Sequence, residues 1–324
     1  MRALVTGCAG FIGSHLCESL LDDGHTVLGV DCFNDNYRWP AKLGNLDALR
    51  DAERFELVPL DLARADLEEV VDGIDVVFHL AAEPGVRSSW GAGFDRYLRN
   101  NVQATQRLLE AIRANPGPRV VYASSSSIYG DAERLPTPED ATPRPHSPYG
   151  VTKLAAEHLC LLYHANHGVD ATALRYFSVY GPRQRPDMAF NRFCRAAVDG
   201  DELVVFGDGR QTRDFTYVDD VVAATRAAAL APAAPGRVYN VGGGTRVSVN
   251  DALALLGDLV GRPLAVRYEG RESGDVRDTG ADIRLAARDL GFRPATPFAD
   301  GLRAELEWMV ARDAAPARAA LAGR

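Results

Sequence analysis

Residues 7–13 read Gly7-Cys8-Ala9-Gly10-Phe11-Ile12-Gly13 and stand between an apolar run at 3–6 and an amphipathic stretch at 14–23. A strand that enters a helix through three glycines makes a turn with no Cβ at three of its positions, where the backbone can pack closely. Amide N–H groups at the helix start can then close on a bound anion, helped by the positive end of the helix dipole. The spacing is G-x-x-G-x-x-G, a variant of the shorter-spaced turn that cradles a dinucleotide pyrophosphate. Asp31 ends the next apolar run, 18 positions beyond Gly13. A carboxylate there accepts hydrogen bonds from ribose hydroxyls and repels a 2′-phosphate, so the expected cofactor is NAD rather than NADP.

The rest of the chain fits that turn. Apolar runs of strand length recur at 26–30, 57–60, 76–80 and 120–123, with a helical pattern at 102–114 between the last of these and the next run, at 171–176. Continuous apolar strands alternating with helices indicate an α/β fold, a Rossmann-type doubly wound parallel sheet covered on both faces. A further run at 238–241 reads as a late strand of the same sheet. After Tyr176 the regular pattern breaks at Pro182, Pro186 and Gly207-Asp208-Gly209. A helix over 248–260 starts at Ser248 or Asn250. The expected organisation is an NAD-binding domain of residues 1–176 plus about 216–242. A smaller, discontinuous α/β substrate domain takes about 177–215 plus 243–312, and 313–324 is read as a frayed, disordered tail.

Composition narrows the function. The net charge of −8 over 324 residues disfavours nucleic acid, which requires a basic face. No apolar stretch approaches the roughly 18 residues of a membrane span, and no secretory leader pattern opens the chain. The five cysteines are scattered and form no CxxC pair, as expected of reduced thiols in a cytoplasmic protein, and no metal site is expected.

Tyr149 and Lys153 are four residues apart, one turn apart on one helix face. A lysine there is expected to lower the tyrosine pKa and let the phenol serve as a general base. Ser124-Ser125-Ser126-Ser127 follows the fifth strand, at the sheet edge where ligands bind. With the glycine turn, Asp31, the serine run and Tyr-x-x-x-Lys in this order, residues 1–310 resemble the extended short-chain dehydrogenase/reductases, in their nucleotide-sugar epimerase and dehydratase branch. The resemblance implies that Tyr149 is the base, Lys153 binds the nicotinamide ribose, and Ser125 shares the substrate 4-hydroxyl. It puts Gly7, Gly10, Phe11, Ile12, Gly13 and Asp31 on the cofactor, with Asp61 and Leu62 at the adenine. Leu80, Ala81 and Ala82 form the cofactor-lining loop, Asn101 supports the cofactor, and Ala123 and Tyr176 complete that set. Arg213 grips the substrate diphosphate, with Arg271 or Arg277 as the second clamp.

The serine run also bears on the reaction. Dehydratases of this branch carry Asp and Glu where Ser126 and Ser127 stand, so dehydration is not expected, and decarboxylases carry a Glu at the Ser127 position. Gly85-Val86-Arg87, residues 124–130, residues 147–153 and residues 180–188 resemble the UDP-glucuronate 4-epimerases. Ser126, Ser127 and Ser178 then face the sugar carboxylate, with Arg87 and Arg185 on the substrate side. The expected reaction is inversion at carbon 4 through a 4-keto sugar, on a tightly bound, recycled NAD. UDP-glucose or UDP-N-acetylglucosamine epimerisation and UDP-glucuronate decarboxylation stay open as alternatives, as does dTDP in place of UDP. Family members commonly pair as homodimers through a four-helix bundle, here through 102–114 and 149–166. Leu108, Leu109, Ile112, Leu154, Leu159 and Leu162 are candidates for its apolar surface.

Overall fold

The computed structural model describes residues 1–322 apart from 271 and 273, and for 313–322 it describes the backbone alone. Strands β1 (Arg2–Thr6), β2 (Thr26–Asp31), β3 (Phe55–Pro59), β4 (Val76–His79), β5 (Arg119–Ser125) and β6 (Ala171–Tyr176) join the strand Val238–Val241 in one parallel sheet. The order across it is Val238–Val241, β6, β5, β4, β1, β2, β3. The chain therefore reverses direction across the sheet between β1 and β4, which opens a crevice at the carboxyl ends of the strands. Central strands are buried on both faces: every residue of β4 and β6 is buried, as are Ala3–Thr6 of β1. Edge strand β3 has partly exposed faces.

Helices α1 (Phe11–Asp22), α2 (Trp39–Gly44), α3 (Glu68–Val71), α4 (Phe94–Tyr97), α5 (Ala104–Ala114) and α6 (Pro148–His167) connect or cover these strands. Two starts differ from the sequence reading. α1 begins at Phe11, three residues early, because extended Gly10 already directs the chain into the helix. Its N-cap makes no side-chain hydrogen bond, and its first turn has no acidic residue. The leading N–H groups are left for a ligand. Before α5, Leu98–Gln103 forms a π-helical turn that carries Asn101. The long α6 is capped by Ser147, whose hydroxyl accepts the Gly150 N–H at 3.1 Å, and it ends at left-handed Gly168.

Leu108, Leu109 and Ile112 pack into the core under the sheet and so do not provide an outer apolar face. Leu162, Val151 and Leu98 are the exposed apolar residues along this side of the molecule. A separate core of Tyr180, Phe190, Phe193, Leu253, Leu256, Leu302 and Met309 holds the C-terminal elements together. The last helix, Phe298–Ala322, continues through most of the stretch expected to be irregular. Its alanine-rich composition carries high intrinsic helix propensity.

Candidate active site

A cavity of about 380 Å3 lies along the carboxyl edge of the sheet. All the residues expected at the cofactor line it except Asn101. At one end the glycine turn leaves no space for side chains. A Cβ on Gly13 would stand 2.2 Å from the Gly7 carbonyl oxygen, and one on Gly7 (φ +74°) would meet the Ala81 nitrogen at 2.9 Å. Asp31 accepts the Phe33 N–H at 2.8 Å and the Ala9 N–H at 3.2 Å. Burial raises its pKa, and the nearby Lys42 ammonium and those two amides pull it back. A backbone cradle beside an uncapped helix start, next to a carboxylate steadied by amides, suits a pyrophosphate and an adenosine ribose.

At the other end β5 runs on to Ser125, and the serine run divides by direction. Ser124 donates to Glu157 at 2.6 Å, which in turn pairs with Arg175 at 2.6 Å, so it belongs to a buried structural network. Ser125 accepts the Ser127 N–H at 3.1 Å and lies close enough to the Tyr149 phenol to stabilise its ionised form. Gly150 permits this pairing, since a Cβ there would be 2.6 Å from the Ser127 carbonyl oxygen and would push α6 off the serine run. Ser126, Ser127, Ser178 and Arg185 line the same end. Arg185 is held by Asp187 at 3.0 and 2.9 Å. Burial opposes its charge, but Asp187 outweighs burial and keeps the guanidinium firmly protonated.

The electrostatics correct one expectation. Burial pushes the Tyr149 phenol above its usual range, and the opposing influences are the Ser125 hydroxyl and the Arg185 charge. Lys153 is itself pushed down to about 7 by burial, its amine donating to the Ala123 carbonyl and lying 4.5 Å over the Tyr122 ring. A lysine that gives up its proton so readily is a weak source of positive field for the phenol.

Asn101 is set back behind the wall. Its side chain accepts the Glu83 N–H at 2.6 Å and donates to the Glu83 carbonyl at 3.1 Å and to Thr152 Oγ1 at 2.9 Å. Its neighbour Asn100 reaches the cavity. Arg87, Arg213 and Arg277 do not line the cavity but meet around residues 274–278. Arg87 lies 4.2 Å over the Phe206 ring and pairs with Asp275 at 3.1 Å. Arg213 donates to the Val276 and Arg277 carbonyls at 2.6 and 2.8 Å, and Arg277 is 3.8 Å from Asp208. Arg271 lies outside the described residues. The sequence reading missed Asn34, Asn36, Tyr37 and Lys42, which line the adenosine end, and Met188 at the sugar end. The first four follow Asp31 closely in sequence, and their clustering of polar residues was the available signal.

A sheet of this order with a tyrosine, a serine and a lysine gathered at its carboxyl edge is that of the extended short-chain dehydrogenase/reductases. More narrowly, the chain belongs to the NAD dependent epimerase/dehydratase family, which it matches over residues 3–242. Among relatives, a Bacillus subtilis (strain 168) protein described as an uncharacterised UDP-glucose epimerase, YtcB, is 45% identical over 95% of this chain and 98% of its own. A UDP-glucuronate 4-epimerase of Thermodesulfobacterium geofontis (strain OPF15) is 38% identical over 94% of this chain and 95% of its own. The crystal structure of the Bacillus cereus UDP-glucuronic acid 4-epimerase with UDP-glucuronic acid and NAD superposes with a TM-score of 0.94 at 43% identity, covering 96% of this chain and all of that one.

Proposed function

We propose that this protein inverts carbon 4 of UDP-glucuronate to give UDP-galacturonate, using an NAD that stays bound and is regenerated in each cycle. The observation that carries the reading is the sugar end of the cavity. Hydroxyls of Ser125, Ser126, Ser127 and Ser178 and the Arg185 guanidinium line it, and its two lining carboxylates, Asp31 and Asp61, sit at the ends of β2 and β3, on the adenosine side. A hydroxyl-rich wall with one guanidinium and no carboxylate among its described residues suits a uronate, whereas dehydration calls for an acid and a base at the serine run. Two of the three relatives above are named for UDP-glucuronate and support the same substrate; the third is described as a UDP-glucose epimerase.

In this reading the glycine cradle and the α1 N-terminus hold the pyrophosphate, Asp31 the adenosine ribose, and Lys153 the nicotinamide ribose. NAD held there would supply the hydride acceptor for carbon 4 and the hydride donor for its re-reduction. Tyr149 takes the proton from the 4-hydroxyl and gives it back. Ser125 orients that hydroxyl, and Arg185 favours the phenolate. Oxidation at carbon 4 makes a β-keto acid, prone to lose CO2 when its C5–C6 bond lines up with the ketone π-system. Ser126 and Ser127 fix the carboxylate away from that alignment. Arg213, with Arg271 or Arg277, grips the diphosphate, Arg87 guards the substrate side, and Asn101 supports the cofactor through the Glu83 loop.

We place the protein in the cytoplasm, in keeping with five free thiols, and pair it as a homodimer through the side bearing Leu98, Val151 and Leu162. No helix among the described residues is long and apolar enough to cross a membrane. Incubation with UDP-glucuronate and, separately, UDP-glucose, followed by NMR of the products, tests the assignment. UDP-galacturonate is expected from the first. A pentose with CO2, or faster turnover of UDP-glucose, would overturn it.

A further inference from the structure

Glu83 is a buried carboxylate with no part in the chemistry above, yet it joins three separate segments around the cofactor cavity. Its Oε2 accepts from Asn34 at 3.3 Å and from Asn100 at 3.2 Å, and its Oε1 is 3.5 Å from the Arg96 guanidinium. Asn36, with its amide nitrogen turned to the carboxylate, donates to the two oxygens at 3.1 and 2.5 Å and accepts from Asn34 at 3.0 Å. Arg96 reaches past Glu83 to Asp35 at 3.3 Å, and Lys42 donates to the Asn34 carbonyl at 2.8 Å. Three consecutive residues, 34–36, are thus tied down from across the cavity mouth.

The segment they belong to follows Asp31 directly and carries strain. Phe33 has φ +48°, left-handed backbone that a non-glycine residue adopts at a cost. Such a turn persists where its surroundings hold it: Asp31 accepts the Phe33 N–H, Lys42 holds the Asn34 carbonyl, and from across the cavity mouth the holding group is the Glu83 carboxylate. Meanwhile the Glu83 backbone is bolted through Asn101 to Thr152, whose hydroxyl donates to the Tyr149 carbonyl at 2.8 Å. The two ends of one residue therefore connect the adenosine-side loop to the helix that carries Tyr149.

We propose that Glu83 is a positioning residue for the cofactor: its carboxylate straps residues 33–37 over the adenosine half of NAD and sets how slowly NAD leaves. The inference rests on the reading that NAD occupies this cavity and is retained. A group that keeps the cofactor in place through many cycles is what an enzyme with no net redox change requires, since departure of the reduced form with the 4-keto sugar unreturned would end the cycle.

The test loads the full-length wild type, Glu83→Gln, Glu83→Ala and Arg96→Ala with labelled NAD and chases with excess unlabelled NAD. Release is expected to quicken by about tenfold or more in Glu83→Ala, less in Glu83→Gln, which keeps an oxygen acceptor, and by about threefold in Arg96→Ala. In epimerisation assays the NAD concentration for half-maximal rate rises by a larger factor than kcat falls, a split that general loosening of the fold does not produce. Arg96 is a partly exposed residue, so its variant keeps the test alive if the Glu83 variants do not fold. Wild-type release rates in Arg96→Ala and in the folded Glu83 variants, with wild type retaining NAD, overturn the strap alone. A wild type that binds no NAD overturns the functional reading and the strap together.

Discussion

Glu305 sits on the helix Phe298–Ala322 with its side chain entirely buried. Its Oε2 accepts the Gly181 N–H at 2.9 Å, while Oε1 has no partner. Burial pushes its pKa from 4.5 up to about 8, against the pull of the Gly181 amide. The native carboxyl therefore keeps its proton across a window in which the unfolded chain has lost it. Stability from this group is fully present below pH 4.5 and drains away as the pH rises to about 8. Over the whole window the loss is on the order of 5 kcal/mol, at about 1.4 kcal/mol per pH unit. Glu305→Gln keeps the acceptor for Gly181 and cannot ionise, so it escapes the loss. Urea unfolding of both proteins at several pH values, under matched NAD, is the assay. The variant should be more stable by less than about 1 kcal/mol at pH 5, by about 2 at pH 6 and by roughly 3–5 above pH 8. A gap that does not grow with pH, or a variant less stable throughout, would refute the reasoning. The consequence reaches the site, because Gly181 opens the segment that carries Arg185.

Lys153→Met is expected to abolish turnover while making the NAD-free chain on the order of 2 kcal/mol more stable at pH 6.5, since burying the ammonium costs more than its bond to Ala123 and its contact with Tyr122 return. The wild type, whose lysine sits at about 7 against an ordinary 10.5, regains stability as the pH rises through that window; the gap between wild-type and variant urea midpoints should therefore narrow from pH 6.5 to pH 9.5. Gly13→Ala should eliminate NAD binding, measured by calorimetry, and cost roughly 1–3 kcal/mol by overpacking, because the added methyl meets the Gly7 carbonyl. Tyr149→Phe should lower kcat by about 10²–10⁴ with NAD still bound, assayed by product NMR and by cofactor content after denaturation; unchanged turnover would remove Tyr149 from the chemistry.

Much of the site was legible because its signals are local. A glycine turn between an apolar strand and a helix constrains backbone within a few residues, and the Tyr149–Lys153 spacing has one meaning on a helix. That the sheet is parallel and covered on both faces likewise follows from the unbroken apolar runs of its strands. Asn101 shows the limit. Its position beside the cavity was readable, but whether residue 100 or 101 faces inward turns on a π-helical turn, which rotates the chain in a way no periodicity announces. The arginines show another: Arg87, Arg213 and Arg277 are brought together by residues 274–278, from segments more than 60 positions apart.

The sequence alone determined a glycine turn between strand and helix, a serine run at a strand end and a tyrosine–lysine pair one helical turn apart, because each rests on short-range geometry; that they meet at one sheet edge was implied by the resemblance those motifs carry and is borne by the fold. Tertiary structure decided the energetics of those groups. It set Tyr149 above its ordinary range and Lys153 below it, since both shifts come from desolvation by residues distant in sequence. It also made Glu83, an unremarked residue after two alanines, the meeting point of Asn34, Asn36, Arg96 and Asn100. A buried charge gathers its partners from wherever the fold brings donors, and that is known once the chain has closed around it.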